Sequence, residues 1–161
     1  MDFKVLILTV QIALVATLIN LPFAIVVSWV LVKRKIRGQI ILDALVSLPL
    51  AVPPVVIGFL LLILLGTEGP IGAVVHYLFQ RDLVFTWVAA AIASAVVSFP
   101  LVTRTFMVAI NAVDERLEMT ARSLGASPFK VAVTITIPLA YRGILAGVLL
   151  GFVRALSEFG A

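Results

Sequence analysis

The chain has 161 residues, of which 63% are hydrophobic and 12% charged, and its mean hydropathy is +1.24. A water-soluble domain of this size cannot hide so much apolar surface in one core, so the sequence is that of an integral membrane protein. The formal net charge of +4 comes without a basic stripe interleaved with aromatics, which argues for cytoplasmic loops and against nucleic acid; the absence of cysteine excludes disulfides, thiolate chemistry and cysteine-based zinc sites.

A membrane helix needs about 20 apolar residues to cross the hydrocarbon. The first such run, Val5–Val32, is too long for the apolar core of a signal peptide and has no small-residue cleavage site, so it reads as a helix that stays in the membrane. Lys33, Arg34, Lys35 and Arg37 follow it with no acid among them. By the positive-inside rule this loop is cytoplasmic and the N-terminus lies outside.

The second run, Ile40–Leu65, contains Leu48-Pro-Leu-Ala-Val-Pro-Pro-Val-Val-Ile-Gly58. Each interior proline removes a backbone hydrogen bond, and in lipid the freed carbonyls need other partners. The stretch around Pro53 and Pro54 is therefore expected to face the protein interior or a pathway; a simple structural kink is the other reading. Asp43 is expected to answer Arg37 or a lipid-headgroup cation. The next loop, Gly66–Asp82, sets Glu68 and Asp82 against Arg81 alone and falls outside. His76, the sole histidine, has no second ligand near it in sequence and is not expected to hold a metal.

The third run is Leu83–Ala109, interrupted by Pro100, and the fourth is Leu139–Leu156, with Arg142 and Arg154 near its ends. Gly143, Gly147 and Gly151 recur every four residues, which places them on one helix face and predicts a packing surface. Arg104 and Arg154 are read as interfacial anchors, or as contacts for an oxyanion. The span centres hold no ionisable side chain, which argues against a proton-coupled carrier. The fold class is all-α: a polytopic transmembrane bundle of about four spans.

Between the third and fourth spans lies the polar stretch Asp114-Glu-Arg-Leu-Glu-Met-Thr-Ala-Arg-Ser-Leu-Gly-Ala-Ser-Pro128, which reads as helix, turn, helix on the cytoplasmic side. Asp114 is a good N-cap, with Glu115 and Glu118 near the positive end of the helix dipole. Gly125 can take the left-handed conformation that ends the helix, and Ser127 caps a new one with Pro128 in first position. Leu117, Ala121 and Leu124 share a face that is either buried on the chain's own membrane domain or offered to a soluble partner; periodicity leaves both open. Glu118 and Arg122, four apart with the acid first, form by spacing alone an exposed ion pair worth a few tenths of a kcal/mol.

Glu118, Ala121, Gly125, Ile135 and Pro138 resemble the signature of the permeases of ABC importers, in which a Glu-Ala-Ala group is followed by a glycine and by Ile-x-Leu-Pro ending thirteen residues after it. Ile137 stands where leucine is usual, Thr120 replaces the first alanine, and Glu118 lies one residue early. The runs Leu117–Ser127 and Thr134–Leu139 are similar to the molybdate/tungstate branch, where a shifted glutamate is usual. The likeness extends to Leu48–Gly58, Ser98–Leu101 and Arg154–Ala161.

The resemblance implies that residues 1–161 are the transmembrane domain of such an importer, with a further span or spans expected beyond Ala161. It implies a homodimer around a central path, two ATPase subunits below, and an extracytoplasmic molybdate- or tungstate-binding protein above. Residues 114–127 would be the coupling helix seated in a groove of the ATPase, with Glu118, Ala121, Arg122, Gly125, Ala126 and Ser127 at that interface. Pro53, Pro54, Ser157 and Glu158 would lie along the translocation path. There is no Gly-x4-Gly-Lys-[Ser/Thr] loop, so this chain carries no cofactor and ATP is handled by the partner ATPase.

A sulfate/thiosulfate importer permease is the nearest alternative. An intramembrane enzyme would need paired catalytic groups, and Ser157-Glu158 has neither a base beside the serine nor a second acid beside the glutamate. A channel or assembly subunit would work without an ATPase.

Overall fold

The computed structural model describes residues 3–34, 37–80 and 82–158. Lys35 of the basic loop, Arg81 of the outer loop and the last three residues of the Arg154–Ala161 run lie outside them. The first span is one helix, α1 (Phe3–Lys33), and the third is α5 (Trp87–Asn111). Both run unbroken through their interior prolines, Pro22 in α1 and Pro100 in α5, although proline is expected to interrupt a helix. A membrane helix tolerates a lost bond where neighbouring groups re-satisfy the backbone. Thr86 sets the start of α5, its hydroxyl accepting from the Ala89 amide.

The second span is broken. It forms α2 (Gln39–Ala51) and α3 (Pro54–Leu65), bent by 111° at the Val52-Pro53 step. The break carries its own hydrogen bonds: Val52 N donates to the Leu48 carbonyl, and Val56 and Ile57 N both donate to that of Pro53. Pro49 lines a crevice of about 410 Å³ between α1, α2 and α5, shared with Asn20, Phe23, Val46 and Phe99. Pro53 and Pro54, by contrast, are exposed on this chain.

The outer loop, for which the sequence predicts no helix, holds the ten-residue α4 (Pro70–Phe79). Its glycine-bounded turn folds it back on α3, where Gly69 N donates to the Gly66 carbonyl. His76 Nδ1 lies 2.8 Å from Asp82 Oδ1, and both side chains are more than half exposed.

After α5 come α6 (Glu115–Ser123), α7 (Pro128–Val131), a π-helical turn (Ala132–Thr136), α8 (Ile137–Leu139) and α9 (Tyr141–Ser157). The chain bends by 74° between the Pro128–Leu139 stretch and α9. The core is the three-helix contact of α1, α5 and α9, with one cluster of small residues, Ala13, Ala16, Ala95 and Ala155, and a second in which Ala24 packs with Val102, Phe106 and Ile110. The expected glycine face is there. Gly143 meets Ala109, Gly147 lies against the Phe106 ring and Gly151 against Val102, so α9 runs antiparallel to α5 at backbone-close distance.

Polar pairs stitch the same helices. Asn20 donates to the Ala95 carbonyl and the Ser98 hydroxyl, Ser28 Oγ reaches the Thr103 carbonyl at 3.0 Å, and Ser94 Oγ reaches that of Ala155 at 3.3 Å. α1 is thus parallel to α5. The end of α1, the start of α2 and the end of α5 meet at one pole of the bundle, where Lys33, Arg34, Arg37, Arg116, Arg122 and Lys130 also fall. By charge this pole is cytoplasmic.

Candidate functional site

At that pole α6 is assembled as its sequence specifies. Asp114 caps it by accepting from the Arg116 amide at 2.9 Å, Gly125 adopts φ 87°, and Ser127 Oγ accepts from the Lys130 amide to start α7. The left-handed Gly125 reverses the chain direction, and the Ala126 amide closes on the Ala121 carbonyl at 3.0 Å.

Which face of α6 points inward differs from the simplest amphipathic reading. Leu117 is 49% exposed, Met119 52% and Leu124 85%, with Ala121 half-buried and Arg122, Gly125 and Ser127 exposed. The one buried residue of α6 is Glu118, at 3%. An exposed Glu118–Arg122 pair is therefore not what forms. Lys33 Nζ lies 3.1 Å from Glu118 Oε2, and Thr136 Oγ1 donates to Glu118 Oε1 across 2.7 Å.

The geometry explains the choice. Lys33, at the end of α1, reaches its carboxylate where little water competes, while Arg122 stays in solvent. A carboxylate this deep is tolerated because a cation and a hydroxyl satisfy its two oxygens. Neither Lys33 nor Thr136 was singled out from sequence. The available signal was the second of two threonines, Thr134 and Thr136, ahead of Pro138, and a lysine at the very end of a long apolar span.

Two further ion pairs lie within the spans. Arg104 Nη1 sits 2.8 Å from Asp43 Oδ1, and its Nη2 donates to Ser47 Oγ at 2.6 Å. Asp43 thus answers Arg104 and not Arg37, because α2 packs antiparallel along the inner half of α5. Arg154 pairs with Glu158 one turn on and donates to Ser157 Oγ at 3.0 Å. Since Ala155 abuts Ser94, seven residues into α5, this pair lies about 10 Å along α5 from its outer end, deeper than an interfacial anchor. Each of these arginines is matched by a carboxylate. Pro53 and Pro54, on the other side of the broken span, are not brought into contact with Ser157 or Glu158 by any hydrogen bond or ion pair among the described residues.

Residues 20–161 match the family model described as binding-protein-dependent transport system inner membrane component. The chain belongs to this family. It is a multi-pass inner membrane component of a transport system, and the matched region takes in α5, α6 and α9 whole. Among similar proteins, the molybdenum transport system permease protein ModB of Haemophilus influenzae is 42% identical over 161 residues, 100% of this chain and 70% of that protein. The probable sulfate transport system permease protein cysT of Chlorella vulgaris is 38% identical over 154 residues, 96% of this chain and 58% of that one. A solved structure, a crystal structure of an amino acid ABC transporter with histidines, shares the fold with a TM-score of 0.65 at 20% identity, over 96% of this chain and 66% of the other.

Proposed function

We propose that this family member is the permease subunit of an ATP-driven importer that passes molybdate or tungstate, delivered by an extracytoplasmic binding protein, across the inner membrane. Two copies would form the path, and an ATPase dimer on the cytoplasmic side would supply the work, with ATP bound on that partner alone. The observation that carries the reading is α6 with its C-cap, which leaves Leu117 and Leu124 exposed on one face at the basic pole while Glu118 faces in.

An apolar helix face exposed at the cytoplasmic surface is what a groove of a soluble partner would take. Ala121, Arg122, Gly125, Ala126 and Ser127 border that face and are proposed as its edge. Pro53, Pro54, Ser157 and Glu158 are proposed to line the path, since the broken span and the deep Arg154–Glu158 pair are features that lipid alone disfavours. The 42% identity to a molybdenum permease, against 38% to a sulfate one of longer chain, supports the choice of anion.

The test is uptake of labelled molybdate into vesicles holding the full-length permease, its ATPase and the binding protein. Uptake that requires ATP, is abolished by Leu124→Asp through loss of ATPase association, and resists excess sulfate supports the assignment. Flux without the ATPase would overturn it, and strong competition by sulfate would reassign the anion.

A further inference from the structure

Glu118 is buried at the root of a helix whose other described residues are at least partly open to solvent. A helix that only needed to present a surface would be better served by an apolar residue there, because burying a carboxylate costs several kcal/mol before any partner is found. Both of its oxygens are engaged, and on different bodies. Oε2 holds Lys33, the last residue of α1, which is packed along α5 for most of its length. Oε1 holds Thr136, the last residue of the π-helical turn that precedes the 74° bend into α9. π-helical turns are rare, occur mostly as single turns within α-helical stretches, and are frequent at functional sites.

We propose that Glu118 is a positioning residue that transmits displacement of α6 to the spans, to α1 through Lys33 and to the hinge before α9 through Thr136. This rests on the reading of α6 as the segment seated on an ATPase, and differs from it in one respect. Glu118 acts within its own chain, and the partner's groove is met by the residues around it. A pull on α6 is then shared between the two helices that flank α5, so α1 and α9 move together against it. With the carboxylate removed, α6 stays folded on its caps but loses its polar ties to α1 and to the π-helical turn.

The experiment uses the full-length permease with its ATPase and binding protein in vesicles, and reads molybdate uptake and ATP hydrolysis on the same sample. In Glu118→Gln and Lys33→Met, ATPase association and hydrolysis are retained while uptake per ATP falls about tenfold, within the usual range of coupling between sites. Thr136→Val gives a smaller fall, and exchange of the charges, Lys33→Glu with Glu118→Lys, recovers part of the loss. An unchanged ratio in Glu118→Gln and Thr136→Val would overturn the inference. So would loss of ATPase association in Glu118→Gln with the ratio intact, which would make Glu118 a partner contact.

A second reading is independent of transport. Spin labels at the exposed positions Arg34 and Leu124 of the permease in detergent should give a narrow distance distribution that broadens in Glu118→Gln. An unchanged distribution refutes the inference even if the importer assignment holds. Broadening in a permease that shows no ATP-driven uptake would sink the importer assignment and leave the tether standing.

Discussion

Asn20 of α1 and Ser98 of α5 meet through a hydrogen bond of 3.0 Å in the core of the bundle, and the same amide nitrogen reaches the Ala95 carbonyl at 2.9 Å. Asn20 is 4% exposed and Ser98 1%. With lipid on the far side of the helices, neither group has water to fall back on. Asn20→Ala is expected to cost about 1 kcal/mol, and Ser98→Ala less, because Asn20 then keeps its bond to the Ala95 carbonyl. Thermal unfolding in detergent measures both. Equal losses would mean that the Ala95 contact contributes nothing.

The glycine face of α9 gives a contrast between two kinds of glycine. A Cβ on Gly147 would stand 2.7 Å from two carbons of the Phe106 ring, too close for any packing without displacement of the helix. Gly147→Val should destabilise by about 1–3 kcal/mol and loosen α5 from α9. Gly58, inside α3, would meet nothing within 4 Å. Gly58→Ala is expected to leave stability unchanged or raise it by up to about 1 kcal/mol. Differential scanning of the two variants in the same detergent decides the matter, and a large loss at Gly58 would show that a second copy covers that surface.

How far the sequence reached is clear from particular residues. The apolar helices, the caps at Asp114 and Ser127, the turn at Gly125 and the glycine face were all legible, since each depends on local periodicity or on one residue's conformational preference. The inward turn of Glu118 was not. Helical spacing says which residues share a face but not which face is buried, and Lys33 and Thr136 come from elements 85 and 18 residues away in sequence. The Asp43–Arg104 pair was hidden for the same reason. The 111° break at Pro53 was foreshadowed by the proline run, yet its angle depends on how α3 packs on α5.

Gly125 holds φ 87° with no heavy atom within 4 Å of where a Cβ would go. A substitution there is opposed by backbone conformation alone, so Gly125→Ala should cost about 1–2 kcal/mol locally and Gly125→Asn less. Gly38, ahead of α2, has φ 95° and equally open surroundings. The two alanine variants should therefore lose similar stability. Only Gly125→Ala is expected to weaken association with the ATPase, read by co-purification or by titration of labelled permease. A matching loss in Gly38→Ala would mean that the effect is global and that α6 has no privileged part in association.

Arg104 is held by Asp43 and Ser47 at the start of the broken span, with both charged side chains 40% exposed. At that exposure the pair should be worth about 0.5–1 kcal/mol, and a double-mutant cycle of Asp43→Asn and Arg104→Gln should return a coupling of that size. Transport should respond unequally. Asp43→Asn leaves a guanidinium without its counter-charge near the inner mouth, where a dianion leaving the path would linger. Arg104→Gln removes the cation together with the need for its partner. Uptake is therefore expected to fall most in Asp43→Asn, more at low than at high ionic strength, and to recover in the double variant. If Arg104→Gln is instead the most impaired of the three, the arginine itself contacts the anion and its neutralisation by Asp43 belongs only to the state described here.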